Sequence, residues 1–354
     1  VGSEMCIRDR LEIDSIMFLS TSIYVFWGPV GVGKTFAASY LANPKTKDFV
    51  LKKLNRPREF MPLVFPVNAV VPRRSGDLTF SVYRAIVKKF LTEISNDEDL
   101  IKELASAYQK LEAGNIRSAF RDIAGRIRST VTGKTVIHKI EESEGFKLLA
   151  LQRSKLGKLL DINDLVAIVK TLADVLLSKY KRIIIMIDEL ENLSRATGTE
   201  RLLFSDFMRR IHDEIDLGIT FVLIFTFDSY EEVTSNLQPA LVSRIRKVIE
   251  FGFVNNASDV KEYITDCLWH RSGKKINEIM DEEVLEDLSK TLLSKFGGRL
   301  SFRDINKEMH ELFTTTFILA NQPDRFRISY ELYQRAMKIS AENIVDEIKK
   351  AEVA

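Results

Sequence analysis

The feature that most constrains the fold of this chain is a glycine-rich segment near its start, which has the sequence GPVGVGKT and fits the pattern G-x-x-x-x-G-K-[ST]. An apolar, β-branched and aromatic run precedes it at 23–27, and a helix-like stretch follows at 36–41. This succession predicts a strand, a loop and a helix, the setting in which backbone N–H groups and the helix N-terminus converge on phosphate oxygens. The residues predicted to surround a bound phosphate chain are Gly28, Pro29, Val30, Gly31, Val32, Gly33, Lys34, Thr35 and Phe36.

Two side chains of this segment have specific predicted roles. Lys34 would add a positive charge at the outer phosphates, and Thr35 would supply a hydroxyl ligand to Mg²⁺. The alternative interpretation is a glycine-rich turn beside a core strand. A carboxylate at the end of a second predicted strand, far downstream, favours the phosphate-binding interpretation.

That carboxylate is Asp188, which ends a run of five apolar residues after Lys181 and Arg182. A run this apolar suits a strand buried on both faces of a parallel sheet, and such sheets bind ligands at the carboxyl ends of their strands. Asp188 is therefore predicted to organise the metal together with Thr35. Glu189 is suited to orient or deprotonate an attacking water, and its alternative role is an acidic residue at a helix N-terminus.

The composition is typical of a soluble globular protein, with 354 residues of which 45% are hydrophobic and 29% charged, enough for two domains. No apolar stretch reaches the length of a membrane span, so no membrane contact is expected. The net charge of +2 favours neither presence nor absence of nucleic acid. Two cysteines and four scattered histidines predict neither a disulfide framework nor a zinc site, and indicate a cytoplasmic setting.

The first ten residues require separate treatment. The segment EMCIRD at 4–9 resembles the translation of a transposon end used in sequencing libraries. We therefore expect residues 1–10 to be a non-native scar and exclude them from fold reasoning. The native chain would then begin near Leu11, as a fragment of a longer gene.

Strand and helix patterns alternate along the first two thirds of the chain. Strands are predicted at 23–27, 63–68, 183–188, 220–227 and 248–251, with helical patterns at 36–41, 78–94, 162–177 and 204–211. This alternation predicts an α/β fold with a doubly wound parallel sheet, in which Pro66 places the second strand at an edge or a bulge. From residue 255 the pattern is wholly helical, at 260–271, 283–295, 302–320 and 329–351. The predicted organisation is an α/β domain at 11–253 and a small helical lid domain at 254–354.

This order of domains resembles that of the AAA+ ATPases. The segment IDELE at 187–191, the strand ending in Asn68, and the residues at 243–244 and 249–251 resemble in particular the archaeal origin-recognition and helicase-loader ATPases. The resemblance covers nearly all of the chain after residue 10. It implies ATP hydrolysis with Mg²⁺, a nucleotide-dependent conformational switch, and a use in DNA replication or another DNA transaction. In that family a winged-helix DNA-binding domain follows, and we expect this sequence to end before it.

The resemblance also implies roles for two arginines. Arg244 matches the arginine that such subunits extend to a neighbour's γ-phosphate, which would make the protein a homo- or hetero-oligomer; its alternative role is a surface ion pair. The sensor arginine of the lid follows a glycine near a helix start, and Arg299 and Arg303 both qualify. Arg303 is preferred because Ser301, as N-cap, would direct it toward the nucleotide. The polar residue that ends the fourth strand in this family falls at Thr226 or Asp228.

The sequence between Lys34 and Asp188 is longer than an AAA+ core needs, and the surplus lies at about 95–160. Its second half, 115–160, contains ten Lys and Arg against four acidic residues, a local net charge of +6. Arg117, Arg121 and Arg128 fall near one helical face, which predicts a weak, non-specific contact with DNA phosphates. The alternative is a solvated helical insert, since Phe120 and Phe146 alone could stack on bases.

Two other functions remain open on the sequence. One is a regulatory or defence ATPase of the signal-transduction type, whose nucleotide state controls an effector absent from this fragment; the long insert favours it. The other is a non-enzymatic scaffold, in which ATP only stabilises an assembly. Turnover that depends on Glu189 would separate an ATPase from a scaffold.

Overall fold

The computed structural model describes residues 16, 21–53, 55–57, 60–69, 77–107, 109, 114–128, 142–149, 161–215, 218–320 and 327–338. The expected scar at 1–10, the parts of the basic stretch at 129–141 and 150–160, and the end of the last predicted helix lie outside these residues. The chain divides into two compact units. We name them the α/β unit, from residues 12–28 and 34–250, and the helical unit, which contains Pro29–Gly33 and the residues from 251 onward.

A five-stranded parallel sheet forms the centre of the α/β unit. Its strands lie in the order β2-β3-β4-β1-β5. Their bounds are Ser22–Gly28 (β1), Leu63–Asn68 (β2), Ile183–Asp188 (β3), Ile219–Thr226 (β4) and Ile245–Glu250 (β5). The three inner strands are the most apolar and are buried almost throughout, as expected when helices cover both faces of a parallel sheet.

The two edge strands depart from that pattern. Pro66 lies on edge strand β2, opposite Met186, where its missing N–H costs no ladder hydrogen bond on the open side. Strand β5 begins at Ile245, three residues before the predicted start, because Arg246 and Lys247 are exposed at the other edge and interrupt the apolar run. Charged residues on an edge strand also discourage pairing with a second chain.

The helices of the α/β unit are Lys34–Ala42 (α1), Pro44–Lys53 (α2), Asp77–Ser95 (α3), Glu98–Ala107 (α4), Gly114–Arg128 (α5), Glu144–Leu149 (α6), Ile162–Leu177 (α7), Gly198–Glu214 (α8), Tyr230–Ser235 (α9) and Pro239–Val242 (α10). Helix α7 has the predicted bounds, because a reciprocal capping box between Asp161 and Asp164 fixes its start. Helix α8 begins six residues before its predicted start, with Thr197 as N-cap.

The described part of the surplus segment is a packed layer of the core. Helices α4, α5 and α6 contribute apolar side chains to the same buried cluster as the sheet, among them Leu104, Phe120 and Phe146. Helices α5 and α6 approach closely, since a Cβ added to Gly145 would lie 2.2 Å from the carbonyl oxygen of Ala119. Helices α4, α5 and α6 therefore bury one face each, and the alternative of a solvated insert stays open for their exposed faces.

The helical unit has its own apolar core. Its helices are Ala257–Ser272 (α11), Ile276–Ile279 (α12), Glu282–Phe296 (α13), Phe302–Ala320 (α14) and Tyr330–Lys338 (α15). Two isolated β-bridges that the periodicity does not reveal, Val254 with Leu300 and Met280 with Ile328, tie the connecting segments together. No helix in the described ranges is long and apolar enough to span a membrane.

Candidate functional site

The carboxyl ends of the inner strands meet along one edge of the sheet. Gly28 at the end of β1 is in register with Thr226 at the end of β4, and Asn68 at the end of β2 is in register with Asp188 at the end of β3. In parallel sheets this edge is where ligands bind. The residues of the two sequence motifs therefore come to the same edge of one sheet.

Thr35 and Asp188 are in direct contact although 153 positions separate them. The Thr35 hydroxyl donates to Asp188 Oδ2 at 2.7 Å. Because the hydroxyl hydrogen points to the carboxylate, the lone pairs of Thr35 Oγ1 remain available to a cation. A hydroxyl and a carboxylate are hard oxygen ligands of the kind that Mg²⁺ prefers, with waters and phosphates completing its shell.

Lys34 is almost completely buried, with 5% of its surface exposed. Its ammonium donates to the carbonyl oxygen of Gly28 at 2.8 Å, so the side chain folds back over the start of its own loop. A neutral carbonyl is a weaker partner for an ammonium than a phosphate oxygen. The ammonium thus lies at the end of β1, bound to a partner that a phosphate oxygen could replace.

Glu189 adopts a left-handed conformation, with φ 63° and ψ 29°. Its backbone N–H donates to Asp188 Oδ1 at 2.8 Å, and its carbonyl accepts from Asn192 N at 3.2 Å. The chain continues into the 3₁₀ turn Leu190–Arg195, to which the Glu189 side chain gives no capping hydrogen bond. Its carboxylate is exposed, so among the described residues Glu189 does not act as a cap.

Asn192 fixes this turn and was not singled out from the sequence. Its side chain is buried, and Nδ2 donates to the carbonyl oxygen of Ala69 at 3.0 Å. Ala69 N in turn donates to the carbonyl oxygen of Asp188 at 2.8 Å. The other residues of the turn, from Leu190 to Arg195, are a mixture of apolar and polar types, so no pattern in the sequence distinguishes Asn192.

The loop residues Pro29–Gly33 belong to the helical unit. Gly31 and Gly33 have φ values of +83° and +100°, which side-chain-bearing residues rarely adopt. Within the unit, Arg303 N lies 3.4 Å from the carbonyl oxygen of Gly31, and the Phe302 ring lies beside Gly33. Of the other predicted loop residues, Val32 is buried, Pro29 is half-buried, and Val30 and Phe36 are exposed.

The two predicted arginines have different surroundings. Arg244 forms a two-pronged ion pair with Asp213, Nε to Oδ1 at 2.7 Å and Nη2 to Oδ2 at 2.8 Å, and also donates to the carbonyl oxygen of Ala240. This hydrogen-bonded guanidinium lowers the pKa of Asp213. Arg303 is the second residue of α14, with Ser301 as the N-terminal cap through its hydroxyl, and its side chain is exposed, as is that of Arg299.

The predicted basic face lies partly on α5. Arg117 and Arg121 are exposed on this helix, whereas Ile116 and Phe120 face the core. The structure does not describe the side chain of Arg128 or residues 129–141 and 150–160. At the end of β4, Thr226 is partly exposed and Asp228 is exposed, so neither side chain is withdrawn from the surface.

The fold is similar to that of a solved archaeal protein. The structure of the Aeropyrum pernix ORC2 protein in ADPNP–ADP complexes aligns with a TM-score of 0.51 and 14% identity, over 96% of this chain and 69% of that one. The ADP form of ORC2 aligns with a TM-score of 0.49 and 14% identity, over 95% of this chain and 67% of that one. C. elegans PCH-2 aligns with a TM-score of 0.42 and 14% identity, over 99% of this chain and 69% of that one. No family model and no curated protein matches the chain.

At this identity the similarity establishes the fold. The fold class predicted from the sequence is confirmed in its architecture: an α/β fold with a parallel sheet between helices, followed by an all-helical region.

Proposed function

We propose that this chain binds ATP with Mg²⁺ and hydrolyses it, and that the bound nucleotide acts as a conformational switch. The observation that carries the proposal is the contact of Thr35 with Asp188 at the carboxyl edge of the sheet. It joins the end of the glycine-rich loop to the carboxylate of the second motif, as a magnesium-nucleotide site requires. The ORC2 structure that shares this fold was solved with ADPNP and ADP.

Each residue has a defined part in this proposal. Lys34 would exchange the Gly28 carbonyl for a phosphate oxygen, which is the stronger partner of an ammonium. Thr35 and Asp188 would hold Mg²⁺, which supplies positive charge to the β- and γ-phosphate oxygens. Glu189 would accept a proton from the water that attacks the γ-phosphorus while the bond to the β-phosphate oxygen breaks, giving ADP and phosphate.

Turnover of a Glu189→Gln variant tests the proposal. Glutamine keeps the size of the side chain and cannot accept the proton, so ATP binding should persist while phosphate release slows on the order of 10²-fold or more. The matched control is Glu191→Gln, which changes the next acidic residue of the same turn. If Glu189→Gln turns over ATP as fast as the parent protein, the chain is not the hydrolase proposed here and a nucleotide-binding scaffold is favoured.

A DNA transaction is the use that the sequence resemblance favours, and the exposed Arg117 and Arg121 of α5 support a weak contact with phosphates. Such a contact is independent of base sequence and falls steeply with salt. Changing both arginines to Ala should reduce the slope of log affinity against log salt by about two units in fluorescence anisotropy with duplex DNA. The control variant replaces two exposed lysines of the helical unit, Lys290 and Lys307. Absence of binding even at low salt would favour the regulatory ATPase.

A further inference from the structure

We propose that Phe302 is a positioning residue for the glycine-rich loop: its ring supports the backbone at Gly33 and keeps the loop in the shape that receives phosphates. The inference rests on the proposed function, because the loop is assigned to phosphate binding there. Both partners of the contact belong to the helical unit. Neither the motif nor the sequence resemblance gives Phe302 a role.

The loop rests on one short turn, Ser301–Arg303, through both of its inner glycines. A Cβ added to Gly33 would lie 3.1 and 3.3 Å from two carbons of the Phe302 ring. A Cβ added to Gly31 would lie 2.8 Å from Ser301 Oγ and 3.1 Å from Arg303 Cβ. Glycine is thus required at these positions for close approach as well as for positive φ.

Three hydrogen bonds between Ser301 and Asp304 hold this turn. Ser301 is 5% exposed, its N–H and hydroxyl both donate to Asp304 Oδ2, and its hydroxyl accepts from Asp304 N. This is a capping box, which fixes the start of α14. Because the cap is buried and reciprocal, the backbone on either side of Phe302 has little freedom.

The Phe302 ring also packs against a second aromatic ring of the helical unit. The ring of Tyr263 on α11 packs against it, with centroids 4.5 Å apart. Asn306 Nδ2 donates to the Phe302 carbonyl at 2.9 Å and to the Tyr263 hydroxyl at 2.5 Å. Phe302 therefore packs against the apolar core of its unit and presents a fixed surface to Gly33.

A glycine-rich loop without such support would lose much conformational entropy when phosphates order it. Support from Phe302 reduces that loss before any ligand arrives. The backbone N–H groups of this kind of loop bind the phosphates that ADP and ATP share. Loss of the ring should consequently weaken both nucleotides by a similar factor and leave the chemical step at saturating ATP nearly unchanged.

Calorimetric titration of Phe302→Ala with ADP and with a non-hydrolysable ATP analogue, both with Mg²⁺, tests the inference. We expect both affinities to fall on the order of tenfold, with kcat at saturating ATP within about twofold of the parent protein. Phe302→Leu, which keeps an apolar side chain at the contact, should recover most of the affinity. Hydrogen exchange of the amides at 31–34 should be faster in nucleotide-free Phe302→Ala than in the parent.

Phe313→Ala is the matched control. Phe313 also packs against the core of the helical unit, on the same helix and about 16 Å further along its axis, by the rise of 1.5 Å per residue. The Phe313→Ala variant should have a lower melting temperature, with unchanged nucleotide affinity and unchanged hydrogen exchange at 31–34. This result would separate a general loss of core packing from the loss of the ring that supports the loop.

Unchanged affinity and unchanged exchange in Phe302→Ala would overturn the inference while the proposed function stands. A loss confined to the ATP analogue would also overturn it, because the ring would then act at the γ-phosphate. A parent protein that binds neither nucleotide would refute the proposed function. In that case hydrogen exchange alone decides the inference: faster exchange at 31–34 in Phe302→Ala would show that the ring orders the loop, and unchanged exchange would overturn the inference as well.

Discussion

Glu189 has a left-handed backbone conformation that costs conformational free energy. It lies at the candidate site, directly after Asp188. A non-glycine residue in the left-handed region is uncommon, and strain of this kind concentrates at functional sites. Here the Asp188 carboxylate and the buried Asn192 side chain hold the turn in place. The left-handed residue is thus held next to Asp188 at the end of β3.

A substitution that relieves the strain at Glu189 should leave the protein more stable than one that keeps the strain, although both abolish the proposed ATP hydrolysis. Glu189→Gly and Glu189→Ala both lose the carboxylate, but only glycine adopts a positive φ at little cost. We expect Glu189→Gly to have a free energy of unfolding about 1 kcal/mol above that of Glu189→Ala, with neither variant hydrolysing ATP appreciably. Urea denaturation followed by circular dichroism gives this difference. Equal stabilities of the two variants would show that the turn is not strained.

At the scale of single residues, the sequence predicted those side chains that a motif names. Thr35, at the start of the helix after the glycine-rich loop, lies in contact with Asp188, at the end of a buried strand, and their role at a metal stays a prediction. Asn192 and Phe302 could not be predicted in the same way. Their importance depends on which backbone lies beside them, Ala69 for one and Gly33 for the other, and a pattern of residue types does not give that information.

At the scale of elements, the close crossing of α5 and α6 limits what the chain tolerates. Gly145 N donates to Asp122 Oδ2 at 2.8 Å, and its Cα side faces the Ala119 carbonyl. Gly145→Ala would force these helices apart and should cost about 1–3 kcal/mol of unfolding free energy in urea denaturation.

Gly125 on α5 is the matched control for that variant. Its added Cβ would meet no atom within 4 Å, so Gly125→Ala should stabilise the protein by up to about 1 kcal/mol through helix propensity. If Gly145→Ala is as stable as the parent, helices α5 and α6 do not cross as closely as described.

The same helices show how charge can obscure a core element in a sequence. Ile116, Phe120 and Ile123 follow helical spacing and are all buried, yet the surplus of Lys and Arg around them suggested a surface segment as one alternative. The amphipathic spacing is the more informative signal, because long charged side chains can extend into solvent while the apolar face of the same helix packs against the core. The predicted bounds of α7 agreed with the structure because a capping box and an apolar face coincide there.

At the scale of the whole molecule, the proposal that Arg244 acts in a neighbouring subunit depends on how firmly this arginine is held within its own chain. In the structure its guanidinium pairs with Asp213, and about a third of each side chain is exposed. An ion pair of this exposure contributes little, up to about 1 kcal/mol, so a neighbour's nucleotide could displace it. The pair is thus compatible with the role in a neighbouring site that the resemblance implies.

The dependence of turnover on protein concentration tests that role. Turnover per subunit should rise with concentration in the parent protein and stay flat in Arg244→Ala, with a loss of up to ~10³ at high concentration. Asp213→Asn weakens the internal pair and should shift the rise to a concentration up to about fivefold lower. Concentration-independent turnover that is equal in the parent and in Arg244→Ala would refute an intersubunit arginine.

The central claim is that Lys34, Thr35 and Asp188 form a magnesium-nucleotide site, and calorimetric titration with ATP and Mg²⁺ tests it most directly. The parent protein should bind ATP, and Lys34→Ala should lose most of the affinity, because the ammonium that Gly28 now holds would no longer reach the phosphates. Lys47→Ala, a half-buried lysine of α2 that donates to the Pro62 carbonyl, should bind as the parent does. ATP binding to Lys34→Ala with the affinity of the parent protein would contradict the account.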